Sequence, residues 1–222
     1  MQEIEETSAS GIVAVVAETS LAQWAVSFIP YIAVLLGMYL LHNVWIAALA
    51  YHLGAAAVLY RTRFDAGDPH TTRGGSAIVV GINLLIGIFT GVLLYSLWPM
   101  LGTPADLGAR LARMGLTSWT VFGIYYCAVN PLLEELLWRR FMPNRSISPT
   151  WHDALFAGYH MLVLAIFMQW QWMAVSFVLL MSASCIWRFS IRRPNGLLIV
   201  SASHFLADLG IVLVGCMKTS HF

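Results

Sequence analysis

The chain has 222 residues, 59% of them hydrophobic and 10% charged, with a net charge of +1. A soluble domain averages roughly 45–50% apolar and about 25% charged residues, so this composition excludes a disordered chain and argues against a soluble fold. The near-neutral balance, with no long basic run, also argues against a nucleic-acid partner.

The N-terminal segment carries Glu3, Glu5 and Glu6 and lacks the basic start of a signal peptide. Residues 11–23 are apolar but contain Glu18 and Gln23, and read as an interfacial or partly inserted helix. Seven longer apolar runs follow: Ala25–His42, Val44–Tyr60, Ala77–Trp98, Trp119–Arg140, Trp151–Met168, Met173–Phe189 and Leu197–Cys216. Each suits a hydrocarbon layer of about 30 Å. Backbone groups in lipid must be satisfied within the segment, and none of the runs alternates as a barrel strand would. The predicted fold is therefore all-α: a polytopic membrane bundle of about seven helices plus an N-terminal interfacial or eighth helix. Residues 1–222 read as a single integral membrane domain. Breakers fall between runs, at Asp65–Pro69, Gly102–Pro104 and Arg193–Gly196. Trp98, Trp119, Trp151, Trp170 and Trp172 fall near run ends, where an amphipathic ring prefers to sit. Cys127, Cys185 and Cys216 lie in apolar runs without CxxC spacing and read as small core residues.

Loop charge sets an orientation. With seven crossings, one face receives Arg61, Arg63, Arg73, Arg139, Arg140, Arg145, Arg188, Arg192 and Arg193, and the other only Arg110, Arg113 and Lys218. The first face is expected to be cytoplasmic.

Ionisable groups inside membrane helices cost roughly 2.5–3.5 kcal/mol each on insertion scales, so they persist where they pair or do chemistry. The fourth run ends Asn130-Pro131-Leu132-Leu133-Glu134-Glu135, with Arg139 one turn on; the fifth contains Phe156 and His160; the seventh contains His204 and Asp208. At 1.5 Å per residue, Glu134, His160 and His204 fall roughly 9, 14 and 10 Å from the same face. Glu135 and Arg139 are spaced to form an ion pair, which leaves Glu134 without a local basic partner. Asp208 lies one turn from His204 on the same side. Adjacent helical positions diverge by about 100°, so Glu134 and Glu135 are expected to face different neighbours. His52 reads as a polar contact between helices, His70 and His221 as solvated, and Pro131 as a kink.

These three motifs, EExxxR at 134–139, FxxxH at 156–160 and HxxxD at 204–208, resemble those of the CPBP family of intramembrane endopeptidases, the CAAX protease and bacteriocin-processing group. The motif-bearing core spans about residues 119–216. The resemblance implies proteolysis within the membrane plane, with Glu134, Glu135, Arg139, His160, His204 and Asp208 as the site. By it, Glu134 helped by His160 activates a water, His204 stabilises the oxyanion with Asp208 assisting, and Glu135 and Arg139 brace the site. Many relatives have Asn where this chain has Asp208. An ionised Asp cannot donate to an oxyanion, so Asp208 is either protonated or an acceptor orienting His204. Metal-free chemistry is favoured. A zinc reading, with Glu134, His160 and His204 as ligands, stays open, although no His-Glu-x-x-His helix is present. The implied substrate is a membrane-anchored, lipidated or hydrophobic protein or peptide, cut near its C-terminus. The implied setting is a prokaryotic cytoplasmic membrane with the site towards the cytoplasm. Two other readings compete. One is a non-catalytic member of the fold, acting in bacteriocin immunity or as a scaffold. The other is a proton-coupled transporter, which the lack of an inverted repeat disfavours.

Overall fold

The computed structural model describes residues 22–62, 77–142, 146 and 148–219. These residues form eight helices, and no strand occurs among them. They are α1 (Ala22–Leu40), α2 (Val44–Arg61), α3 (Ala77–Met100), α4 (Leu107–Arg113), α5 (Trp119–Glu135), α6 (Trp151–Leu164), α7 (Trp170–Ser190) and α8 (Gly196–Thr219). Each of the seven apolar runs coincides with a helix. The short α4 is an addition that the sequence reading left in a connector. Most of the expected N-terminal interfacial helix, residues 11–21, lies outside the described residues, as do His70, His221, Arg63, Arg73, Arg145 and the Asp65–Pro69 breaker. Ala22 and Gln23 open α1.

Five helices, α1, α2, α3, α7 and α8, are long and apolar enough to cross a membrane. The chain is an integral, multi-pass membrane protein. Helices α5 and α6 fall below that threshold, being shorter. The most lipid-like surface belongs to α3, where Ile78, Leu85, Ile88, Phe89 and Val92 are exposed. Its buried positions, Asn83, Gly87 and Gly91, recur every four residues and make one narrow packing stripe. That stripe meets α8 so closely that a Cβ on Gly91 would lie 2.8 Å from the Gly210 Cα. Small residues permit this approach, which is how membrane helices gain packing contact when lipid offers no hydrophobic incentive.

Local signals place the helix starts. Asn43 accepts from the Trp45 and Ile46 amides at 2.9 and 3.1 Å, capping α2. Ser118 accepts from the Val121 amide at the head of α5. At α6, Asp153 Oδ2 receives the Thr150 amide at 2.8 Å and the Thr150 hydroxyl at 2.9 Å. The same carboxylate meets Arg188 of α7 at 2.8 Å, and its other oxygen takes the Ser184 hydroxyl. Arg188 also donates to the backbone carbonyls of Ser146 and Ser148, so one buried guanidinium ties α7 to the segment leading into α6. Pro131 lies inside α5 and removes one rung of its ladder. Past Glu135 the helix widens into a π turn, Leu136–Phe141, which ends with the Met142 amide on the Leu137 carbonyl at 3.2 Å. Such turns recur at functional sites; here it buries Trp138 and Arg139 against the core.

Candidate active site

Helix α5 with the π turn that follows it, α6 and α8 carry the six candidate residues, and α2 and α7 close around them. Glu134 and Glu135 are both fully buried at the end of α5. His204, buried on α8, lies between them: its Nε2 is 3.2 Å from Glu134 Oε2 and its Nδ1 is 2.9 Å from Glu135 Oε1. This corrects one expectation: the adjacent glutamates face the same neighbour. Glu134 takes its basic partner from another helix. The 100° offset along the helix still holds, but an imidazole presents nitrogens on opposite sides of its ring, and each carboxylate takes one.

Glu135 and Arg139 form the expected ion pair, at 3.5 Å between Oε2 and Nε. The contact is too long for a good hydrogen bond. Arg139 also covers the Phe156 ring at 4.6 Å, a cation–π contact in the interior. Asp208 Oδ1 stands 3.7 Å from His204 Nε2, outside hydrogen-bond range. Its Oδ2 instead accepts from Asn130 Nδ2 at 3.0 Å.

His160, on α6, takes no direct part in these contacts. It is half-buried, stacks near Phe156 and Tyr159, and shares a proton with the Phe156 carbonyl through Nδ1 at 2.7 Å. The carbonyl can only accept, so Nδ1 carries the hydrogen and Nε2 keeps its lone pair. No hydrogen bond joins His160 to Glu134, His204 or Asp208 among the described residues.

Four further residues take part. Tyr51 of α2 donates to Glu134 Oε1 at 3.2 Å and receives the Trp138 indole N–H at 3.1 Å. Asn130, one turn before Glu134, donates to Glu134 Oε2 at 3.2 Å as well as to Asp208. His52 bridges Asn130 Oδ1 at 3.1 Å and the Tyr125 hydroxyl at 2.8 Å, a contact between α2 and α5 of the kind expected. Trp187 of α7 stacks on His204 with ring centres 4.8 Å apart. Its indole N–H is held by Ser203, which in turn donates to the Asn83 carbonyl. Asn130 was legible as a same-face neighbour of Glu134 at i−4; Tyr51 and Trp187 come from helices without a motif and left no comparable signal.

The side chains present do not make a metal cage. Among the described residues no group of three His, Cys, Asp or Glu side chains is spaced to hold a metal ion. Glu134 and His204 are bonded to each other, and His160 is bonded to neither. The set named for zinc therefore does not fit in this arrangement. What the arrangement does provide is a buried imidazole held through both nitrogens, a buried carboxylate bonded to it, and a second imidazole with a free lone pair.

An apolar cavity of about 190 Å³ opens beside the cluster. Tyr51, Tyr126 and Tyr159 line the end nearest the site, and Trp119, Leu111 and Ile211 line it further off. Helix α4 closes part of this space, with Leu107 and Leu111 buried.

Comparison with known families gives one match. Residues 116–210 match the model of a family described as type II CAAX prenyl endopeptidase, Rce1-like. The matched segment agrees with the resemblance carried by the three motifs and contains all seven of their residues. It covers somewhat less than half of the chain. No curated protein and no solved structure matches the chain.

Proposed function

We propose that this membrane protein, matched over its motif-bearing segment to the Rce1-like endopeptidases, is an intramembrane endopeptidase that hydrolyses a peptide bond near the C-terminus of a membrane-anchored, lipidated or hydrophobic protein. The observation that carries this reading is the buried His204, bonded by Glu134 at one nitrogen and Glu135 at the other. A scaffold has no need of so costly a cluster.

In this reading Glu134, His160, His204 and Glu135 each have a step. Glu134 takes a proton from water as the oxygen attacks the substrate carbonyl carbon. His160 Nε2, with its lone pair free, accepts the water's other hydrogen as a hydrogen bond and orients the nucleophile. As Glu134 gains the proton it loses its charge and weakens its hold on the His204 Nε2–H, which turns to the oxyanion. Glu135 keeps the imidazole fixed through Nδ1. The C–N bond then breaks as Glu134 passes its proton to the leaving nitrogen. No metal enters these steps. The apolar cavity suits an apolar group of the substrate next to the scissile bond.

Counted over seven crossings, the excess of Lys and Arg on one set of loops favours a site towards the cytoplasm, and the setting proposed is a prokaryotic cytoplasmic membrane. Comparing membrane-protein termini in cells with the active protein and with Glu134→Ala tests the reading. New C-termini present only with the active protein are expected. Identical termini in both, with the variant accumulating normally, would overturn it.

A further inference from the structure

Three acids, Glu134, Glu135 and Asp208, surround one imidazole, and two of them face the same nitrogen. Nε2 of His204 is 3.2 Å from Glu134 and 3.7 Å from Asp208. What separates the two acids is the side-chain amide of Asn130, whose NH₂ has one hydrogen for each: 3.2 Å to Glu134 Oε2 and 3.0 Å to Asp208 Oδ2. Among the described residues this amide is the one hydrogen-bond donor to Asp208.

The amide orientation is set from α2. Asn130 Oδ1 meets His52 Nε2 at 3.1 Å, and His52 Nδ1 meets the Tyr125 hydroxyl at 2.8 Å. With Tyr125 donating to Nδ1, the hydrogen of a neutral His52 lies on Nε2 and points at Asn130 Oδ1. That leaves the NH₂ aimed at the acids and disfavours the flipped amide, which would set an oxygen against two carboxyl groups.

We propose that Asn130, oriented by His52, is a positioning residue for cleavage: it holds Asp208 off His204 and so reserves that imidazole for Glu134. The proposal rests on the endopeptidase reading and adds to it a residue outside the three motifs. Without the amide, the Asp208 side chain needs to close less than 1 Å to reach hydrogen-bond range of Nε2 and compete with Glu134 there.

The test is a double-mutant cycle on the full-length protein in membranes, read as the rate at which Glu134-dependent C-termini accumulate. Asn130→Ala is expected to slow accumulation by about tenfold to a hundredfold, the usual span for stranding a buried acceptor. Adding Asp208→Asn to it removes the competing charge and is expected to recover at least tenfold. Should Asn130→Ala fail to accumulate, Asn130→Asp with Asp208→Asn exchanges amide and acid across the same gap. That exchange is expected to exceed Asn130→Asp alone by at least tenfold. Thermal unfolding of the unaltered protein, Asn130→Ala, Asp208→Asn and the double variant is expected to show coupling between positions 130 and 208. Undiminished activity in Asn130→Ala, or second-site changes that recover nothing, would overturn the proposal and leave the endopeptidase reading standing. If no Glu134-dependent termini form with the unaltered protein, that reading falls and the proposal falls with it.

Discussion

Glu135 serves two cations at once, one through each oxygen: His204 Nδ1 at 2.9 Å and Arg139 Nε at 3.5 Å. Glutamine keeps the shape but has a single acceptor oxygen. In Glu135→Gln, one of the two partners therefore faces an NH₂ donor. The loss is one charge-assisted interaction in a buried site, about 2 kcal/mol. If the amide stays with Arg139, His204 loses its fixed orientation and kcat falls by roughly ten- to thirtyfold. Glu135→Ala is more severe, because among the described residues Arg139 is left buried with the Phe156 face for compensation. Breaking a buried pair costs about 3–5 kcal/mol, and the cation–π contact places this case near the lower end. At roughly 2–4 °C per kcal/mol for a chain of this size, its melting temperature drops by about 6–12 °C. Turnover of a substrate identified from membrane termini, with thermal unfolding of the purified proteins, reads both effects. A Glu135→Gln protein with unaltered kcat and melting temperature would refute the reasoning.

Other perturbations give separate outcomes. Arg188→Met removes the cation that joins Asp153 to the Ser146 and Ser148 carbonyls; Asp153 keeps its Ser184 and Thr150 donors, so thermal unfolding should register a loss of about 3 kcal/mol. Gly91→Leu forces a side chain into the α3–α8 contact, where even a Cβ meets Gly210 at 2.8 Å; a cost of about 1–3 kcal/mol is expected in the same measurement, and an unshifted transition would contradict that packing. Cleavage by purified protein should be unaffected by 1,10-phenanthroline. Inhibition reversed by added zinc would replace the metal-free chemistry with a zinc-dependent one.

The helices were readable because apolar length alone decides which segments can satisfy their backbone in lipid, and all seven runs are helical. Their ends were less so: the α-helical parts of the fourth and fifth runs stop at Glu135 and Leu164, short of the runs themselves. Within the site, spacing along one helix was informative: it gave the Glu135–Arg139 pair and the nearness of Asp208 to His204. Contacts between helices depend on how α8 is rotated against α5, which no periodicity encodes. For that reason the shared imidazole, the Tyr51 hydroxyl on Glu134 and the Trp187 stack emerge only from the packed structure. The bond from His160 Nδ1 to the Phe156 carbonyl of its own helix emerges in the same way.

The most direct test of the account is to replace Glu134 with glutamine, which preserves size and can still accept from Tyr51 or donate nearby, yet cannot take a proton from water. The account predicts that Glu134→Gln accumulates in membranes and unfolds as a cooperative protein while the C-termini produced by the unaltered protein disappear. Persistence of those termini at an undiminished rate would contradict it.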